Sequence, residues 1–174
     1  MLMMSRVKIH NLAAIAAIAV IVATVVVIFV HSMQGTDASW VESNTVAALF
    51  EPLLRRVYGL FCGVVSWTGH AVPLDYGTFV RRLAHFIEYF LLGAGCTGLT
   101  VALTKRTLSP YLWSDLFFVL MIAVLDEFVQ SFVGRSSLVK DILLDFSGGI
   151  TGFLIVLIVA ALMRRGARST RSNL

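Results

Sequence analysis

Carboxylates are concentrated in one short stretch of this chain, VLDEFVQSFVGRSSLVKDILLD, at residues 124–145. Four of the ten acidic residues lie there: Asp126, Glu127, Asp141 and Asp145. Gln130 and Arg135 lie between them. A second polar pair, His85 and Glu88, lies earlier in the chain, and its two members are three residues apart. Side chains of these types can exchange protons, bind a cation, or hold a phosphate group.

The rest of the chain is unusually apolar. Of its 174 residues, 58% are hydrophobic and 14% are charged, whereas about a quarter of the residues in a soluble domain are charged. This composition predicts an integral membrane protein with a single domain. The formal net charge is +4, but the basic residues flank apolar runs, which indicates control of membrane topology. We therefore expect no nucleic-acid partner.

Four segments are long and apolar enough to cross a bilayer, because a helix of about 20 residues spans its hydrocarbon core. The predicted spans are residues 12–31, 84–103, 111–133 and 141–163. They predict an all-α fold, a four-helix transmembrane bundle that occupies residues 12–163. Residues 1–11 are predicted as a cytoplasmic N-terminus, and residues 164–174 as a disordered, basic cytoplasmic tail.

An amphipathic helix is predicted in the long loop between the first two spans. Apolar residues from Val46 to Val65 recur at helical spacing, and Glu51, Arg55 and Arg56 lie off that stripe. The pattern is typical of a helix that lies in the membrane interface. Packing on the bundle as a lid is the alternative interpretation.

Lysine and arginine residues indicate how the spans are oriented. They lie before the first span, between the second and third, and in the tail: Arg6, Lys8, Lys105, Arg106, Arg164, Arg165, Arg168 and Arg171. Four arginines of the first outer loop weaken this asymmetry: Arg55, Arg56, Arg81 and Arg82. By the positive-inside rule we predict a multi-pass protein of the inner (plasma) membrane with cytoplasmic N- and C-termini.

This topology places the polar residues of three spans at one level, near the outer leaflet. The predicted site consists of His85, Glu88, Asp126, Glu127, Gln130, Arg135, Asp141 and Asp145. Asp141 and Asp145 share a helix face with Gly148 or Gly149 and then Gly152, and small residues allow close helix packing. Because ionisable groups inside a membrane are costly, they mark functional sites by default. A structural salt-bridge network is the alternative.

Roles can be assigned to this site on chemical grounds. His85 is a candidate general base with Glu88 as the group that orients it. Asp126 and Glu127 are candidates for an acid or, with His85, for ligands of a divalent cation, the one cofactor that we consider. Arg135 is suited to a phosphate. His10, His31 and His70 have no polar companions in the sequence, and we assign them no role.

Two sequence blocks resemble the signature of the VanZ-like family, namely RRLAHFIEYFLLG at residues 81–93 and DEFVQSFVGRSSLVKDILLDFSGGITG at residues 126–152. The segment FVHSMQGTDASWVES at residues 29–43 is similar to the region after that family's first span. The resemblance implies a multispan membrane protein, and some members are linked to glycopeptide resistance. An Asn is frequent in the family where Asp145 stands here, so this site is expected to be more acidic.

Three classes of function are compatible with these observations. The first is an enzyme that acts on a lipid-linked cell-envelope intermediate at the outer leaflet, although no nucleophile motif is present. The second is a non-enzymatic accessory protein that binds envelope precursors, membrane lipid or glycopeptide-type antibiotics. The third is a proton-coupled transporter. The residues leave open the substrate, the presence of a reaction and the oligomeric state.

Overall fold

Long apolar runs fold as helices in this chain, and proline lies where helices begin. The computed structural model describes residues 2–34, 45, 48–67, 75–104, 106–133 and 139–172. Within those residues the fold is all-α and contains five helices: α1 (Leu2–Ser32), α2 (Glu51–Trp67), α3 (Tyr76–Thr104), α4 (Leu112–Phe132) and α5 (Val139–Ser172). Pro52 lies in the first turn of α2 and Pro110 precedes α4, positions where a missing N–H breaks no helical hydrogen bond.

Three of these helices are long and apolar enough to cross a membrane. They are Leu12–Ser32 within α1, all of α3, and Val139–Gly166 within α5. Helix α4 has 21 residues, a sufficient length, but it carries three acids, Asp115, Asp126 and Glu127. The all-α prediction is confirmed, and the chain is a helical membrane protein with three candidate spans in its described part.

Two helices extend beyond the predicted spans. Helix α1 begins at Leu2, so the segment before residue 12 is helical. At the other end, α5 continues to Ser172, so the basic segment predicted as a disordered tail is helical as far as that residue. Each extension continues an apolar helix that is already formed. Adding residues to an existing helix is far easier than nucleating a new one.

Helix α3 is the central element, and it makes its most extensive contacts with α5 and then with α1. Glycines allow the close approach of α3 and α5. A methyl group at Gly148 would overlap the carbonyl oxygen of Phe86, and one at Gly152 would overlap that of Phe90. Gly93 of α3 lies equally close to the backbone of Gly149. The glycine face predicted for α5 is therefore where the two backbones meet.

The surface of the bundle is apolar, and several of its most polar side chains are inside. Asp126, Glu127, Gln130 and Asp145 are at most 4% exposed. Large apolar side chains on all four long helices face outward, for example Val22, Ile87, Phe117 and Ile158. Since lipid solvates apolar side chains and water does not, this distribution is typical of a helix bundle surrounded by hydrocarbon.

Helix α2 packs along the start of α3 through one apolar face. Val57, Tyr58 and Phe61 contact the buried residues Phe79 and Val80. Leu54 packs against the same two residues, and none of the residues of α2 is fully buried. The predicted amphipathic helix is therefore present, and one face lies on the bundle while Leu53, Leu60, Val64 and Trp67 face outward.

Asp75 caps the first turn of α3. Its Oδ1 accepts a hydrogen bond from the Thr78 backbone N–H at 3.0 Å, and its Oδ2 accepts one from the Thr78 hydroxyl at 2.7 Å. The backbone bond, followed by the hydroxyl bond, lowers the pKa of the Asp75 carboxyl. The cap begins the helix that carries His85 and Glu88 three turns further on.

Candidate functional site

The polar residues of four helices meet at one end of the bundle. Because the long helices alternate in direction, the C-terminal ends of α1 and α4 lie beside the N-terminal ends of α3 and α5. The structure brings together seven of the eight predicted residues: His85, Glu88, Asp126, Glu127, Gln130, Asp141 and Asp145. Arg135 lies outside the described residues, and its phosphate-binding role stays a prediction.

Asp126 lies at the centre of this group and is fully buried. Its Oδ1 accepts hydrogen bonds from the Ser32 hydroxyl and from Gln130 Nε2 at 3.1 Å. Its Oδ2 accepts one from the Tyr89 hydroxyl at 3.2 Å. Donors from α1, α3 and α4 thus fix the carboxylate in one orientation and offset the cost of its burial.

The imidazole of His85 faces this carboxylate. His85 Nδ1 lies 4.0 Å from Asp126 Oδ2, and the carboxylate of Asp145, 2% exposed, completes a group of three. One potential ligand atom from each residue lies within 4.8 Å of the others. Glu127, which the sequence suggested as a metal ligand, does not belong to this group.

A small cavity of about 20 Å³ opens beside these residues. Six of its seven lining residues are polar: Arg82, His85, Glu127, Gln130, Asp141 and Asp145, with Leu144 as the seventh. A cavity of this size holds one water molecule or one ion, since about 10–15 Å³ suffices for a single water.

Glu88 has a different partner from the one that the sequence suggested. Its Oε1 is 2.7 Å from His31 Nδ1 at the end of α1, and both side chains are at least two thirds buried. Sequence reasoning gave His31 no role and made Glu88 the orienting group of His85. The i, i+3 spacing puts His85 and Glu88 on neighbouring positions of α3, but α1 packs against the Glu88 side and supplies its histidine.

Arg82 and Asp141 join α3 to α5 at the entrance of the small cavity. Arg82 Nη2 lies 3.7 Å from Asp141 Oδ1, and each side chain is about three quarters buried. Both residues line the small cavity, and Asp145, one helical turn further along α5 than Asp141, lines it as well.

A much larger groove adjoins the same entrance. Its volume is about 630 Å³, and it runs between α2, α3 and α5. Apolar side chains line most of it, including Val57, Leu60, Phe61, Phe79 and Phe86. Arg82, Lys140 and Asp141 are its polar residues, and Arg82, Asp141 and Leu144 line the small cavity as well. An apolar groove therefore ends at the polar site.

Three residues of the site were missed when the sequence was considered alone: His31, Ser32 and Tyr89. A signal existed for Tyr89, which lies four residues after His85 and so shares its helix face. Ser32 and His31 fall at the end of the first predicted span, the same membrane level as the other polar residues. Both lie in the segment 29–43 that resembles the VanZ-like family, but their residue types alone did not assign them to the site.

A protein-family model described as VanZ/LLP1 matches residues 17–160. The match contains every residue of the site, from His31 to Asp145. No curated protein and no solved structure matches the chain.

Proposed function

The chain belongs to the VanZ/LLP1 family, and from the site that its helices build we propose that it binds a lipid-linked component of the cell envelope at the outer leaflet. The apolar groove that ends at the polar site carries this proposal. A lipid tail occupies the groove, and its head group reaches Arg82 and Lys140. The groove volume of about 630 Å³ is within the usual range for small-molecule sites, about 300–1,000 Å³.

The chemistry of the groove supports an anionic amphiphile. Its apolar lining favours hydrocarbon, whose burial stabilises binding by about 25 cal/mol per Å². Its polar end offers a guanidinium group and an ammonium group, the side chains that bind phosphate most readily. Lipid-linked envelope intermediates combine these two features, a long apolar chain and a phosphate-containing head group.

The proposal includes the membrane topology. In it, α4 crosses the membrane with α1, α3 and α5, and α2 lies in the outer interface above the groove. The acids of α4 do not prevent this, because Asp126 and Glu127 face the bundle, while Phe117, Val124 and Phe128 are exposed. Both termini are then cytoplasmic, in accordance with the positive-inside rule.

A matched pair of substitutions on α2 tests the lipid proposal. Leu60 lines the groove and Leu53 does not, yet both side chains are largely exposed, at 73% and 61%. Leu60→Asp should lower the amount of lipid that the purified protein retains by roughly tenfold or more, since a buried leucine contributes about 1.5–3 kcal/mol. Leu53→Asp places the same charge on the same helix and should retain lipid as the wild type does.

Native mass spectrometry of the detergent-purified protein measures the retained lipid and identifies it. Retention of a phosphate-containing polyprenyl or glycan-bearing lipid by the wild type supports the proposal. Equal loss in the two variants, or retention of bulk phospholipid alone, contradicts it.

Catalysis is the second candidate, and the orientation of Asp126 toward His85 favours it. Acid–base chemistry depends on carboxylate position within a fraction of an ångström, whereas charge-based binding depends mainly on the charge. Asp126→Glu preserves the charge and moves the carboxylate. An enzyme loses its cellular function with this substitution, and a binding protein keeps it.

A further inference from the structure

We propose that His85, Asp126 and Asp145 form a binding site for one divalent transition-metal ion. The proposal concerns the small polar cavity and does not rest on lipid binding in the groove. It assigns to Asp145 the ligand position that the sequence suggested for Glu127.

The first argument is the geometry of the three side chains. They come from α3, α4 and α5, and one ligand atom from each lies within 4.8 Å of the other two. Atoms that share an ion at about 2.0–2.2 Å lie roughly 3–4.4 Å apart. His85 Nδ1 and Asp126 Oδ2, at 4.0 Å, already lie within that range, and small side-chain rotations bring Asp145 into it.

The second argument is independent of the cluster and concerns Asp145 alone. Asp145 is only 2% exposed, and it lines the cavity of about 20 Å³. Within the described residues, its carboxylate accepts no hydrogen bond. Four other carboxylates lie close enough to interact with it: Glu88, Asp126, Glu127 and Asp141. A buried carboxylate without a donor is costly, and a cation in the cavity supplies what the protein does not.

The surroundings of Asp126 support the same assignment. Metal-binding carboxylates are usually oriented by outer hydrogen bonds. Ser32, Tyr89 and Gln130 donate to Asp126 in this way, which leaves its Oδ2 directed to the His85 ring.

The ligand set indicates the class of ion. One imidazole nitrogen with two carboxylate oxygens suits Zn²⁺, Mn²⁺ or Fe²⁺ better than Mg²⁺ or Ca²⁺, which prefer oxygen alone. Three protein ligands leave at least one coordination position open. That position would face the cavity, whose wall of Arg82, Asp141 and Leu144 is shared with the large groove.

The test measures metal binding by the full chain in detergent. After treatment with a chelator, the protein is titrated with Zn²⁺ and with Mn²⁺, and stoichiometry and affinity are determined by calorimetry and elemental analysis. The wild type should bind one equivalent. Asp145→Asn keeps the shape and removes the ligand charge, so it should weaken binding at least tenfold to a hundredfold.

Asp115→Asn is the matched control, because it changes a partly buried aspartate of α4 that lies at the opposite end of this helix from Asp126. It should bind metal as the wild type does. Thermal unfolding gives a second readout, in which metal raises the melting temperature of the wild type and of Asp115→Asn but not of Asp145→Asn.

Two results would overturn the proposal: no bound equivalent in the wild type, or equal affinity in the two variants. His85→Gln takes the place of Asp145→Asn should the latter not fold. Since lipid retention is measured separately on the Leu60 and Leu53 variants, failure of one proposal leaves the other standing.

Discussion

At the scale of residues, two histidines hold two carboxylates in the site, and each histidine comes from a different helix. His31 of α1 bonds Glu88 at 2.7 Å, and His85 of α3 faces Asp126 at 4.0 Å. Each carboxylate therefore has its own basic neighbour. One member of each pair, His85 and Glu88, belongs to α3. The contact between His31 and Glu88 connects α1 to the site.

A double-mutant cycle tests the contact between His31 and Glu88. His31→Phe leaves the Glu88 carboxylate, 13% exposed, without its partner, and Glu88→Gln removes the charge. We expect a coupling free energy of about 1 kcal/mol or more, since residues that share a hydrogen bond couple by 0.5–3 kcal/mol. The free energy of unfolding in detergent measures it. Additive effects of the two substitutions would show that the contact contributes nothing.

The residue types of the site could be predicted, but the pairs could not. His85, Asp126 and Asp145 follow from the membrane level at which each helix begins or ends. The partner of Glu88 depends on which face of α1 packs on α3. Helix α1 is apolar from Leu12 to Val30 except for Thr24, and a single threonine makes no amphipathic pattern that would indicate that face.

At the scale of elements, the contact of α3 with α5 fixes the distance between the ligand-bearing helices. Four glycines lie there, Gly93 from α3 and Gly148, Gly149 and Gly152 from α5. His85 and Asp145 lie at the end of this same interface. The closeness of the two backbones is therefore a condition for the site.

Two alanine substitutions in α3 test this interface. Gly93→Ala would overlap the backbone of Gly149, whereas nothing lies within 4 Å of a methyl group at Gly98. We expect Gly93→Ala to destabilise the protein by about 1–3 kcal/mol, the usual effect of overpacking. Gly98→Ala should be neutral or stabilising, because alanine favours a helix over glycine by about 1 kcal/mol. Thermal unfolding of the purified variants measures both, and equal melting temperatures would contradict the prediction.

The glycine spacing of α5 predicted this packing face, and the apolar runs predicted the long helices. Gly93 was not predicted, because α3 contains four glycines, Gly77, Gly93, Gly95 and Gly98, and only the packed structure shows which of them meets α5. The helical continuation after residue 163, predicted as a disordered tail, was also missed. Polar residues there gave no apolar pattern, while the helix needs only to continue from a turn that already exists.

At the scale of the whole molecule, the arrangement places the site at one end of the bundle and three arginines of α5 and of the segment between α3 and α4 at the other. The first turns of α3 and α5 lie at the site end. Arg106 and the pair Arg164 and Arg165 lie at the opposite end, beyond Thr104 and Met163. The alternation of helix direction makes these two ends distinct.

Reporter fusions test which end faces the cytoplasm. A reporter inserted in the loop at residues 134–138 should show activity on the outer side, and one fused after residue 174 should show cytoplasmic activity. A dual reporter whose two enzymes are active on opposite sides gives an internal control at each position. A cytoplasmic signal from the loop at residues 134–138 would reverse the proposed orientation.

Two of the residues that donate hydrogen bonds to Asp126 are synthesised before it. Ser32 precedes it by 94 residues and Tyr89 by 37, so at 5–20 residues per second Ser32 leaves the ribosome about 5–20 s before Asp126. When α4 is synthesised, two of the three donors for its carboxylate are already part of the growing chain. Asp145 is made later, and no donor from the described residues awaits it. The order of the helices thus provides two partners for Asp126 before Asp126 itself is made, whereas Asp145 is made after α1, α3 and α4.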